Sequence, residues 1–402
     1  MRIEIREFAF VELLHGKLLV LLSTGEALRA VPAIATIASI GYSLLATFAG
    51  VRFARQRKAG SSVATSFPPV SILKPLKGAD PEMYEALRSH CVQESPEYEM
   101  ICGVTEANDP AVPVVERLIR EFPEAKIRMV LCDKRLGANG KVSSLIQLAA
   151  AAKAEFLVIN DSDIRVEPDY LRTIMTELQQ ANTGLVTCLY RGTPGRTLAS
   201  KLESLGISTD FVPGVLTANL IENGIHFGLG STLAFRKSDL QEIGGFESIV
   251  DYLADDYELG HRIAQHKKVV LSRSVVETHL PDYDFAGFIT HQLRWARTIH
   301  ASRPSGYAGL LLTFTLPWAV AQLCVWRNPL SVGLFVAALV ARVAMAVVSS
   351  RLGLQEKPAF VWLLPIRDFV ALGVWVAGWA GKKITWRGEK FTLERGRLTR
   401  VV

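Results

Sequence analysis

Two aspartates close a short apolar run in the middle of the chain. Residues 155–169 read E-F-L-V-I-N-D-S-D-I-R-V-E-P-D, and 156–159 has the brevity and polar borders of a buried strand. Asp161 and Asp163 then sit at its carboxyl end, where open α/β sheets place their ligands. Residues two apart in an extended segment point to one side, so these carboxylates repel unless a cation lies between them. Mg²⁺ or Mn²⁺, shared by one or two carboxylates and substrate phosphates, relieves that repulsion. The alternative for an isolated D-x-D is a turn, which Asp-Ser-Asp also suits.

Other groups could serve the same chemistry. Lys141, in G-A-N-G-K at 137–141, lies near the start of a helix. There it adds charge to a helix N-terminus of the kind that binds diphosphate, or is simply solvated. Asp255 and Asp256 form an acidic pair at a second helix start, where the helix dipole favours carboxylates and capping is one reading. The glycine-rich stretch at 227–231, with Gly230 and Ser231, lets backbone approach a substrate closely or makes an ordinary turn. Arg294 and Trp295, in H-Q-L-R-W-A-R at 291–297, suit a helix lying at the depth of lipid headgroups.

The elements that must position these groups alternate. Strand patterns at 70–73, 98–104, 125–131, 156–159 and 184–190 are interleaved with helical patterns at 83–91, 113–122, 137–152 and 170–180. That alternation predicts βαβ units and a mostly parallel sheet with flanking helices. The absence of G-x-G-x-x-G after the first strand argues against a dinucleotide-binding domain. Beyond it come a mixed apolar stretch at 198–216, a strand-like stretch at 227–237 and a helix at 252–265. Two short strands at 269–271 and 275–278 lead to His279, and a helix follows at 285–300.

The chain has 402 residues, and its 49% hydrophobic content is concentrated at the two ends. Residues 31–51 carry no charge over the length a bilayer core requires. Arg52, Arg55, Arg57 and Lys58 follow at once, which predicts a cytoplasmic domain after an anchor and disfavours a signal peptide. The patch at 8–22 is too polar to span and suits an interfacial helix. Apolar segments return at 310–326, 330–348 and 360–380, the last carrying Pro365, Arg367 and Asp368 near its middle. Such charges must face protein, pair internally or mark a broken helix. Three simple spans would put the basic stretch at 382–400 outside, against the charge rule. The expected division is an anchor and linker at 1–66, a catalytic domain at 67–305, a membrane region at 306–381 and a basic tail at 382–402. The net charge of +6 lies beside apolar segments, favouring a membrane surface over nucleic acid. Five scattered cysteines read as reduced, buried hydrophobes, and no obligate protein partner is evident.

Seven motifs in order resemble the ceramide glucosyltransferase family. They are K-P-L-K-G (74–78), N-D-P-A (108–111), G-A-N-G-K (137–141), D-S-D-I-R-V-E-P-D (161–169), A-D-D-Y (254–257), Q-L-R-W (292–295) and T-W-R-G (385–388). Members are membrane-bound inverting glycosyltransferases with a GT-A domain, and Asp163 brings this chain nearer to bacterial relatives, some of which modify hopanoid alcohols. The resemblance implies a UDP-sugar donor, a divalent cation and a lipid acceptor drawn from the bilayer, such as ceramide or a hopanoid polyol like bacteriohopanetetrol. It implies that Lys74, Pro75, Glu106, Asp109, Lys141, Asp161 and Arg294 bind the nucleotide-sugar and that Asp161, Asp163 and His279 hold the metal. Asp256 would be the base, with Asp255, Gln292, Arg294 and Trp295 completing the catalytic set. Gly230, Ser231 and Trp295 would meet the acceptor. The setting implied is the bacterial inner membrane. Two other readings share part of the pattern: a processive polysaccharide synthase and a non-catalytic membrane-anchored nucleotide or metal sensor.

Overall fold

The computed structural model describes residues 24–58, 67–80, 82–94, 97–352, 360–386 and 389–401, with side chains from residue 29 onward. The expected interfacial stretch at 8–22, the linker at 60–66 and Arg387-Gly388 of T-W-R-G lie outside the described residues.

The centre is one eight-stranded sheet. Its strands are β1 (Val70–Pro75), β2 (Tyr98–Val104), β3 (Lys126–Leu131), β4 (Phe156–Ile159), β5 (Ile164–Arg165), β6 (Thr183–Thr193), β7 (Leu233–Arg236) and β8 (Lys268–His279). They lie in the order β3-β2-β1-β4-β7-β6-β8-β5. β1 to β4 are mutually parallel, β7 runs against both β4 and β6, and β8 is parallel to β6. The expected mostly parallel GT-A-like sheet is present. The β1 residues Val70 and Ile72 enter the core on one face, with Met100, Val158 and Tyr170. Leu73 enters the core on the other, with Ile101, Leu157 and Phe235. This is the two-sided burial expected of strands covered by helices on both faces. The carboxyl ends of β1, β2 and β4 open onto one cleft, on either side of the point where strand order reverses.

Three later segments differ from expectation. The stretch at 198–216 is helix Leu198–Gly206, a π-helix Ile207–Phe211 and helix Val212–Ile221, because Pro213 sits at a helix start where its missing N–H costs nothing. Only Leu233–Arg236 of 227–237 is strand, since the preceding residues form a tight turn bridged between Leu229 and Thr232. The two short strands expected at 269–278 are one, β8, with its irregularity taken up against β6.

Among the described residues, three helical segments are long and apolar enough to cross a membrane: Arg29–Lys58, Pro329–Arg351 and Val361–Gly378. A fourth is possible if Pro304–Thr313 and Thr315–Val325, bent by 56° at their junction, count as one span. Arg367 and Asp368 pair internally, as their depth demands. Arg342 grips Asp368 through Nε and Nη2, and Arg367 Nη2 lies 3.1 Å from Asp210.

The stretch after residue 382, expected as a basic tail, is a three-stranded antiparallel sheet of β9 (Lys383–Trp386), β10 (Glu389–Glu394) and β11 (Arg397–Arg400). Alternation turns Ile384, Phe391, Leu393 and Leu398 inward against Leu253 while the basic residues face out. Leu253 N–H donates to Gly396 O (3.0 Å), and Leu398 N–H donates to Asp251 O (2.7 Å).

Candidate active site

The cleft is built from five loops at strand ends. β4 ends at Ile159, and Asn160 is buried as a hub, its amide donating to Tyr170 Oη, Ser231 O and Thr232 Oγ1 while its Oδ1 faces His90 Nε2 (3.1 Å). Residues 161–163 then turn, with Ile164 N–H donating to Asp161 O at 3.3 Å. Alternation therefore does not aim Asp161 and Asp163 together, because the segment is not extended. Asp161, its side chain 44% exposed, faces Lys141, whereas Asp163 accepts from Thr278 Oγ1.

Lys141 is not solvated. Its ammonium lies 2.8 Å from Asp161 Oδ1 and 3.2 Å from Asp255 Oδ2. Burial pulls Lys141 down, but Asp161, Asp255 and Asp256 outweigh it and hold the ammonium above its ordinary range. Asn139 caps the helix Gly140–Ala151 by accepting from Val142 N–H, and its amide donates to Tyr252 O at 2.8 Å. The capping residue thereby fixes the segment that leads into the acidic pair.

Asp255 begins the helix Asp255–Ile263 and is buried against Lys141. Asp256 Oδ2 accepts from Gly230 N–H (2.7 Å), and Oδ1 accepts from Tyr257 N–H (2.8 Å). Burial first, then the neighbouring Asp255 charge, pushes the Asp256 carboxyl up to about 6, against the lowering pull of Lys141. A carboxylate so poised is matched to proton abstraction near neutral pH. Gly230 is the spacer: a Cβ there would stand 3.0 Å from Asp161 Oδ2 and 3.2 Å from Asp256 Oδ2.

Beyond the ends of β1 and β2, Lys77, Gly78, Asp80, Glu106 and Asp109 line a cleft of about 580 Å³. Asp109 is buried, accepting from Gly78 N–H and Ala111 N–H (both 2.9 Å), which ties the β1 and β2 loops together. Glu106 is exposed on the rim, and Pro75, at the end of β1, is half-buried.

Several expected site residues are placed elsewhere. Lys74 is fully buried behind the cleft, where its ammonium supports Asp161 O at 3.3 Å. Burial lowers it to about 7, against the opposing influence of Cys102 and the aspartates. Ser231 is buried, its hydroxyl donating to Cys188 O, so it supports the turn behind Gly230 and does not face an acceptor. Gln292 is buried, its Oε1 accepting from Arg367 (3.3 Å) of the candidate span Val361–Gly378. His279 lies beside Glu277 (3.8 Å). Strand alternation sends it away from Thr278, which holds Asp163. Trp295 tilts against His291 with ring centres 4.8 Å apart, and Arg294 lies half-buried on the same helix near Tyr283.

The described residues contain no group of three or more His, Cys, Asp or Glu side chains able to hold a metal ion. Burial first, then the charge of Asp161, raises the Asp163 carboxyl above its ordinary range. Asp161 and Asp163 supply oxygen ligands of the kind a hard divalent cation takes, and among the described residues no third His, Cys, Asp or Glu side chain joins them. His279 is not part of that set.

Sequence reading missed Asn139, Asn160, Tyr190 and Glu203. Asn139 stood in a quoted motif without a role, and Asn160 precedes the first aspartate. Nothing local marked Tyr190 or Glu203.

A family model described as Glycosyl transferase family 21 matches residues 31–399. Ceramide glucosyltransferase 3 of Caenorhabditis elegans is 24% identical over 243 residues, 60% of this chain, which spans about half (52%) of that protein. Ceramide glucosyltransferase 1 of the same organism is 23% identical over 347 residues, 82% of this chain and 73% of that protein. Among solved structures, a mannosyltransferase from Pyrobaculum calidifontis in complex with GDP-Man and Mn²⁺ superposes with a TM-score of 0.52 at 20% identity, covering 88% of this chain and 99% of that one.

Proposed function

This chain belongs to glycosyl transferase family 21, and we propose that it moves a hexose or N-acetylhexosamine from a UDP-sugar to a hydroxyl of a membrane lipid. Ceramide and a hopanoid polyol are the acceptors that fit the reading. The observation that carries it is the pair of carboxylates set on either side of Gly230, one facing Lys141 at the cleft and one poised as a base. Support for a lipid acceptor comes from the apolar helices, which pack against the helical segments at 198–221 and 285–302, and from the relatives named ceramide glucosyltransferase.

In the mechanism, Asp256 accepts the proton of the acceptor hydroxyl as that oxygen attacks the anomeric carbon. Attack opposite the diphosphate inverts configuration. Gly230 N–H and Tyr257 N–H hold the Asp256 carboxylate in place. Lys141 and Arg294 offer positive charge to the departing diphosphate, and Glu106 and Asp109 lie where the nucleoside would rest. A Mg²⁺ or Mn²⁺ ion held by Asp161 and Asp163 would supply further stabilisation of diphosphate charge. The domain from 67 to 305 would stand on the cytoplasmic side of a bacterial inner membrane, between an anchor at 1–66 and a membrane region at 306–381, without nucleic acid or an obligate protein partner.

The test is mass spectrometry of lipids from a host expressing the chain, supplied with ceramide or hopanoid polyol and UDP-glucose or UDP-N-acetylglucosamine. A new glycolipid, absent with Asp256→Asn, supports the reading. Long polymer, or no lipid change with folded and inserted protein, refutes it.

A further inference from the structure

Glu203, on the helix Leu198–Gly206, is 1% exposed, and neither of its carboxylate oxygens accepts a hydrogen bond from any described residue. Its nearest cation candidate is His291 Nδ1, 3.0 Å from Oε1, which itself lacks a hydrogen-bond partner. A carboxylate removed from water without donors is costly, and native proteins keep one where a ligand, a water or chemistry completes it.

Its surroundings point to a ligand. His291 lies between Tyr283 and Trp295, with ring centres 5.7 and 4.8 Å away, on the helix that also carries Arg294. Tyr190 stands near the end of β6. Burial, then the charges of Glu203, Asp256, Asp163 and Asp161, push its phenol well above the ordinary range, so Tyr190 lies within electrostatic reach of both Glu203 and the reacting carboxylates. Phe211 of the π-helix, its ring centre 4.7 Å from that of Tyr190, backs this wall, and π turns are frequent at functional sites. Ala199, Leu202 and Leu205 of the Glu203 helix pack with Ala346 and Leu364 of two candidate spans. Glu203 therefore sits where the catalytic domain meets the apolar helices, the depth at which the head of a lipid would arrive.

We propose that Glu203 binds the acceptor's head by accepting hydrogen bonds from its hydroxyl groups, with His291 positioning the carboxylate and Tyr190 and Trp295 forming the walls. An ionised carboxylate only accepts hydrogen bonds. It selects an uncharged head rich in O–H donors and repels phosphate-bearing lipids. The subsite rests on the lipid-acceptor reading above and specifies the chemistry that reading leaves open.

The experiment uses the full chain in membranes and compares wild type with Glu203→Gln, whose amide keeps the shape but turns half the group into a donor. Rates are measured against ceramide or hopanoid polyol and separately against UDP-sugar, and UDP affinity is measured by calorimetry. The expected result is a rise of about tenfold or more in acceptor KM, with donor KM and UDP affinity unchanged within about twofold. Methylating the acceptor hydroxyls other than the one that reacts should then affect wild type far more than the variant. An unchanged acceptor KM with normal donor affinity overturns the subsite and leaves the transferase reading standing. A fall in melting temperature and UDP affinity, with acceptor KM per folded molecule unchanged, overturns it equally by showing a structural role. If wild type binds UDP-sugar yet glycosylates no lipid, the lipid-acceptor reading fails first and the subsite falls with it.

Discussion

Lys141 and Asp161 meet at 2.8 Å across the mouth of the cleft, and the same ammonium reaches Asp255 at 3.2 Å. One cation thus ties the turn after β4 to the start of the helix that carries the proposed base. Lys141→Met should remove that tie while keeping much of the side chain's bulk. Asp256 then loses its lowering neighbour, so the acid limb of the rate profile should move upward from about 6. UDP-sugar affinity should fall about tenfold through the lost phosphate-facing charge. Rate profiles against pH and a UDP titration measure both effects, and an unmoved acid limb would exclude this coupling.

In the wild type, transfer should decline as pH falls through about 6, because a protonated Asp256 cannot take the acceptor's proton. Asp256→Asn should bind UDP-sugar with near-normal affinity and lose transfer by about a hundredfold or more. Near-normal turnover in that variant would remove Asp256 from the role of base.

Gly230→Ala places a methyl group 3.0 and 3.2 Å from the two facing carboxylate oxygens. The expected cost is about ten- to a hundredfold in kcat/KM, since displacements near 1 Å at reacting groups have effects of that size. Melting temperature should change little, because the methyl enters the open cleft and not the core. Steady-state kinetics beside a melting curve separates these two outcomes.

Asp163→Asn should abolish the response of UDP affinity to added Mg²⁺ or Mn²⁺. Calorimetry with and without chelator reads this directly, and a variant that still responds would place the cation elsewhere. His279→Ala should respond as wild type does, given its position beside Glu277.

Leu398→Ala should destabilise the protein by about 2–5 kcal/mol, the usual range for emptying a buried leucine site. The effect should concentrate at 251–256, whose backbone is bonded to β11, and hydrogen exchange of that stretch is the measurement. Exchange there that matched wild type would mean the small sheet does not restrain the acidic pair.

The sheet was legible because β1, β2 and β4 are short apolar runs at regular spacing, and both faces are covered by helices. The placement of Asp161 just past a strand end and of Asp256 at a helix start was legible from the apolar run before the one and the acidic pair around the other. Lys74 misled because sequence shows a lysine beside a proline turn, whereas its burial depends on β1 lying between β2 and β4. His279 misled for a local reason, since Thr278 takes the inward position on β8. Glu203 left no signal at all. Its contact with His291 joins positions nearly ninety residues apart, about 88 by simple subtraction, through packing that only the fold supplies.

The bond between Leu253 and Gly396, with the hold of Arg297 on the carbonyls of Ala380 and Lys383, also decides a question of parity. Two groups in hydrogen-bond contact cannot lie on opposite sides of a bilayer. The chain between Ser302 and Lys382 must therefore make an even number of crossings. Were Pro329–Arg351 and Val361–Gly378 both to cross a membrane, they would make one round trip, and the segment bent by 56° before them would enter and leave by the same face. The basic residues after the first candidate span and those of the last sheet would then share that face, as the charge rule requires.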